Sequence, residues 1–120
     1  MTAMDPLFKG STPMLILSVL VEKPMHGYAI AKEIEQRSAD FLRFREGTLY
    51  PALHEMERKG WIAGRWEVTD GGRERKVYAI TPLGLRELER QQHAWRRFSR
   101  ALEAVIGRKS SEGGLETCTT

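Results

Sequence analysis

The feature that most constrains the fold is a pair of strand-like runs, WIAGRWEVT (61–69) and RERKVYAIT (73–81), joined by Asp70-Gly71-Gly72. Both runs are rich in β-branched and aromatic residues, and a short glycine-bearing link between such runs is a strong hairpin signal. Around this hairpin the chain reads as helix. The architecture is therefore decided by how helices gather about one two-stranded element.

The first predicted helix spans about 13 to 23, with Thr12-Pro13 as a cap followed by proline at the first helical position, and Pro24 stops it. It is apolar nearly all round, which calls for burial on more than one side. The second runs from about Gly27 to Ser38, with Ile30, Ala31 and Ile34 inward and Lys32, Glu33, Glu35 and Arg37 outward. The link 39–45 leads into EGTLYPALHEMERKG (46–60), where Leu49, Leu53 and Met56 share one face at i, i+4, i+7. Thr48 is the expected N-cap, Pro51 falls in a first turn whose donors lack partners anyway, and Gly60 closes the helix. Opposite the leucines stand Thr48, Pro51, His54 and Arg58, with Tyr50 at the margin, near an N-terminus whose dipole favours anions. After the hairpin, Thr81-Pro82 repeats the cap-plus-proline device and opens a last helix to about Ile106.

Three helices, a hairpin and a trailing helix make a mainly α fold with a β-hairpin, a winged helix-turn-helix plus a C-terminal dimerisation helix. The third helix is then the recognition element and the hairpin its wing. The expected divisions are a flexible N-terminal arm over 1–10, the winged helix over 11–81 and the dimerisation helix over 82–107. A polar tail rich in glycine and serine, 108–120, is expected to be disordered.

At 120 residues the chain is one domain, small enough for part of its apolar surface to need a partner. A formal charge of +3 favours an acidic partner only weakly. Residues 40–80 hold eight Lys/Arg against seven Asp/Glu, so the reading surface is not basic by count, although Arg43, Arg45, Arg73, Arg75 and Lys76 can cluster. The one cysteine, Cys118, permits no internal disulfide. With no signal-like start and no apolar run long enough to span a bilayer, the expected compartment is the cytoplasm, with no membrane partner. His26, His54 and His93 are far apart and lack ligand-spaced neighbours, so no metal is expected. No Ser/His/Asp or Cys/His set and no phosphate-cradling glycine loop is recognisable, so neither a cofactor nor a catalytic residue is expected.

LILSVLVEKPMHGYAIAKEI (15–34), EGTLYPALHEMERKGWI (46–62) and RERKVYAITPLG (73–84) together resemble the PadR-type transcriptional regulators over most of residues 11–90. The specific part is the combination of HGY, GTLYPAL and K-x-Y-x-I-T-x-x-G, and the single short C-terminal helix resembles the family's small subgroup. The resemblance implies a cytoplasmic, homodimeric, DNA-binding repressor, often released by a small effector. It places Tyr28, Thr48, Tyr50 and Pro51 at DNA-facing positions and Arg73, Arg75 and Lys76 at the basic base of the wing. Asp70 and Glu74 at the wing tip depart from more basic wings, against deep minor-groove insertion. Specificity is expected from Thr48, Tyr50, Pro51 and His54, and affinity mainly from phosphate contacts by Tyr28, Lys32, Arg43 and the wing arginines, on an inverted-repeat duplex. Tyr28 and Tyr50 have an alternative reading as half-buried core residues. The rival function is a winged helix that serves as a protein–protein interaction module without specific DNA binding.

The last helix argues separately for a dimer. Leu88, Trp95, Phe98, Leu102 and Val105 fall on heptad a and d positions, with Gln91 the polar member of the seam. A second copy would cover that stripe, with the first helix supplying the other half of the interface; the alternative is a helix folded back on its own domain. Some PadR-type proteins bind planar aromatic compounds between subunits, which makes Trp95 and Phe98 the candidate effector platform, against a plain packing role.

Overall fold

The computed structural model describes residues 10–107; the expected tail with Cys118, and the expected arm apart from Gly10, lie outside the described residues. In chain order the elements are α1 (Thr12–Leu20), β1 (Met25–His26), α2 (Gly27–Arg37), α3 (Glu46–Arg58), β2 (Ile62–Val68), β3 (Glu74–Ile80) and α4 (Pro82–Ile106). They divide into two compact units, with the boundary between Leu88 and Glu89.

In the first unit the apolar faces read from the sequence converge on one core. Ile16, Leu17, Val19 and Leu20 of α1 pack with Ile30 and Ile34 of α2 and with Leu49, Leu53 and Met56 of α3. Met25, Ile62, Tyr78 and Leu88 complete the cluster. The apolar circumference of α1 is thus largely covered inside its own unit, which leaves less of it for an interface than its composition suggests.

The hairpin forms with Trp66 opposite Lys76 and Arg65 opposite Val77. Its link is closed by the Thr69 N–H donating to the Arg73 carbonyl at 2.8 Å and the Gly72 N–H donating to the Thr69 carbonyl at 2.9 Å. Gly72 takes a φ of 80°, as the last residue of a three-residue hairpin loop does. An unexpected third strand, β1, pairs Met25 with Tyr78 and His26 with Val77, so the sheet order is β1-β3-β2. Two residues between Pro24 and Gly27 are too few to show alternation.

Helix starts need correction. Ser11, not Thr12, caps α1, and Thr12 lies inside the helix and is buried. Helix α3 starts at Glu46 with Arg45 as its N-cap, so Thr48 is not the cap. Pro51 therefore sits in the second turn, where it cannot supply the N–H that the Gly47 carbonyl would otherwise receive. Gly47 is exposed, so water can serve that carbonyl. The other end of α3 is as expected: the Trp61 N–H donates to Met56 and the Gly60 N–H to Glu57, both at 3.0 Å. Thr81 also caps as read, its Oγ1 accepting from the Gly84 N–H at 3.0 Å.

Candidate nucleic-acid interface

The HGY and GTLY segments meet at the N-terminus of α2. His26 is the N-cap, its Nδ1 accepting from the Ala29 N–H at 3.4 Å. A nitrogen that accepts is unprotonated, and burial, followed by the charge of Arg75, holds this imidazole below its ordinary pKa. A Cβ on Gly27 would come 2.8 Å from Cε1 of Tyr50, so the bare glycine is what lets the Tyr50 ring lie on the start of α2. Tyr28 turns outward at 65% exposure, its ring parallel to within 9° of His26 at 6.4 Å. The Lys32 ammonium stands 5.9 Å from the centre of that ring.

Facing this corner is the wing. Between them lies an open groove of about 830 Å³, walled by Tyr50 and His54 of α3 and by Trp66, Arg73, Arg75 and Lys76 of the hairpin. Buried Tyr78 contributes its ring, and burial raises its phenol pKa. Among the described residues, neither an aspartate nor a glutamate lines the groove. The near-even charge count over 40–80 hides this segregation, and two of the carboxylates in that range are paired with cations outside the groove. Glu55 pairs with Arg58 and Lys59, and Glu67 with Arg65. Among the described residues, Arg73 and Arg75 form no ion pair. Lys76 does, its Nζ lying 2.9 Å from Oε1 of Glu57.

Six of the residues picked from the sequence thus come together: Tyr28, Tyr50, His54, Arg73, Arg75 and Lys76. Pro51 is exposed on α3, Lys32 on α2 and Arg43 on the 39–45 link, none of them lining the groove. Thr48 opens on another flank of α3, into a separate hollow shared with Thr12, Pro13 and Trp61. In the second unit Trp95 and Phe98 are about half exposed, with ring centres 6.0 Å apart and planes tilted by 41°. Two residues of the first unit escaped the sequence reading. Trp66 is 64% exposed inside the groove, and the hairpin register that sets it opposite Lys76 was the available signal. Glu57 carried no signal, since its partner lies 19 residues away.

Three helices with a hairpin wing beside the third define a winged helix-turn-helix protein. The chain belongs to the PadR-like family of transcriptional regulators, whose family model matches residues 16–90. It is 32% identical over 109 residues to a transcriptional regulator of Mycobacterium tuberculosis, covering 91% of this chain and 95% of that protein. Among solved structures it is similar to a PadR family transcription regulator from Clostridium difficile, with a TM-score of 0.70 and 34% identity over 81% of this chain and 99% of the other. A transcriptional regulator from Clostridium thermocellum matches with a TM-score of 0.80 and 25% identity, over 85% and 99% of the two chains. No described helix is long and apolar enough to cross a membrane.

Proposed function

We propose that this chain is a homodimeric DNA-binding repressor that reads an inverted-repeat operator. The observation that carries the reading is the groove between α3 and the wing, where among the described residues no carboxylate joins the lining and Arg73 and Arg75 form no ion pair. A duplex presents phosphates at the rim of its major groove, and a helix in that groove with a hairpin beside it meets bases and backbone together. Tyr50, Pro51 and His54 then face base edges, and Thr48, on the other flank, the adjoining edge. Arg73, Arg75, Lys32, Arg43 and the Tyr28 hydroxyl take phosphates. None of the base-facing groups is an arginine able to grip guanine in bidentate fashion, so DNA shape carries part of the specificity. The exposed stripe of α4 supports pairing of two copies, and the Trp95–Phe98 pair supports release by a planar aromatic effector.

The test is a footprint over the DNA upstream of the chain's own gene, followed by a salt titration. Two protected half-sites related by two-fold symmetry are expected, with affinity falling steeply as salt rises. Arg73→Ala and Arg75→Ala should each lower the salt slope by ~0.9, equally on operator and random duplex. Binding without salt dependence, or none to any duplex, would favour the protein-interaction module instead.

A further inference from the structure

The ion pair between Glu57 and Lys76 joins two elements that must act on one ligand. Glu57 lies on α3 and Lys76 on β3, and the carboxylate is shared between both wing strands. Its Oε1 takes the Lys76 ammonium at 2.9 Å, and its Oε2 accepts the Gly64 N–H of β2 at 3.2 Å. Most other described ion pairs stay within one helix or one strand; Arg37–Glu22 bridges the α1 end to α2, and none but this one reaches the wing from α3. The pair is mostly shielded from water, the two side chains being 24% and 31% exposed. Gly64 keeps the path open: a Cβ there would overlap the Lys76 stem and stand 3.1 Å from Oε2 of Glu57. The Lys76 ammonium also lies 5.9 Å from the centre of the Trp66 ring and 5.6 Å from that of Tyr78, so the stem is held among groove residues.

We propose that Glu57 is a positioning residue for DNA binding: through Lys76 and the Gly64 amide it fixes the wing against the recognition helix at the spacing the duplex requires. Lys76 is on this view a strut rather than a phosphate contact. The lowered pKa of Glu57, caused first by the Lys76 hydrogen bond, agrees with a carboxylate committed to that partner. A recognition helix and a wing that moved independently would each have to be ordered on binding, and that cost would be subtracted from affinity.

The inference rests on the DNA-binding reading, and its sign sets it apart from simple electrostatics. Glu57→Gln removes a negative charge beside a polyanion and frees a lysine, so charge alone predicts tighter binding. The strut predicts the opposite. With the full-length chain and a fluorescent random-sequence duplex at low salt, Glu57→Gln and Lys76→Met should each weaken binding about tenfold, and the double variant no further. Exchanging the pair, Glu57→Lys with Lys76→Glu, should recover part of the loss, and the Gly64 amide should exchange faster with solvent in Glu57→Gln than in the wild type. If Glu57→Gln binds as tightly as the wild type or tighter while Lys76→Met weakens, Lys76 is a phosphate contact and the strut is wrong. A wild type that binds no duplex would instead overturn the DNA-binding reading. Gly64 exchange would then decide the strut alone: unchanged protection in Glu57→Gln would overturn it.

Discussion

At His26 one imidazole both ends a strand and starts a helix, and its protonation state decides whether it can do the second. Nδ1 accepts from Ala29, so the cap needs the neutral ring, and burial together with Arg75 depresses the pKa. The unfolded chain then binds more protons than the folded one below the ordinary histidine value of about 6.5. This contribution to stability is present above that pH and is lost as the pH falls through the lower folded-state pKa. His26→Asn replaces the Nδ1 acceptor with an amide oxygen that caps without a titration in this range. Melting curves between pH 7.5 and 5, as about the useful window for histidine, should fall less for the variant than for the wild type; parallel curves would show that His26 does not carry the effect. Its neighbour makes a steric prediction. Gly27→Ala should push the Tyr50 ring off α2, costing about 1 kcal/mol of stability and weakening DNA binding. Trimming the ring in Gly27→Ala/Tyr50→Ala should recover the stability but not the binding, and an unchanged urea midpoint in Gly27→Ala would show that the contact yields freely.

Among the elements, α4 is the one whose start is tied most firmly to its surroundings. Thr81 Oγ1 accepts from the Gly84 N–H and donates to the Gly60 carbonyl at 2.6 Å, so one hydroxyl caps α4 and holds the end of α3. Thr81→Ala should cost about 1–2 kcal/mol in urea unfolding and Thr81→Ser much less; equal losses would assign the effect to the methyl group. This cap was legible because Thr81-Pro82 follows a strand and offers no second candidate. The start of α1 was not, since Ser11 and Thr12 both suit a cap and only the backbone bonding, with the Leu15 N–H on the Ser11 carbonyl, separates them. The buried face of α3 was legible because Leu49, Leu53 and Met56 repeat with the helix, whereas its first residue was obscured by the better capping chemistry of Thr48. The groove was half legible. Arg73 and Arg75 follow from the hairpin, but which carboxylates are withdrawn from the charge balance depends on pairings such as Glu57 with Lys76 that only the folded chain makes.

On the scale of the whole molecule the question is what covers the C-terminal helix. Leu88 is buried in the first unit, whereas Trp95, Phe98, Leu102 and Val105 are between 41% and 76% exposed on the same heptad seam. Large apolar side chains in a regular stripe mark an interaction surface, and an identical stripe on a second copy is complementary to it by symmetry. Two winged helices held that way would address half-sites about 34 Å apart on one face of a duplex. Leu102→Glu places a charge in the seam and should yield a monomer by light scattering, with the melting of the first unit preserved and two-half-site protection lost. Trp95→Leu keeps the seam apolar, and so separates packing from ligand binding. If the indole serves an effector, this variant stays dimeric and bound to DNA but no longer releases it when planar aromatic compounds are added. Stacking on an indole contributes about 0.5–1.5 kcal/mol beyond its buried area, enough to shift an effector's half-maximal concentration roughly two- to tenfold. A Trp95→Leu protein that falls apart into monomers would assign the ring to packing, and a Leu102→Glu protein that remains dimeric would move the interface off this helix.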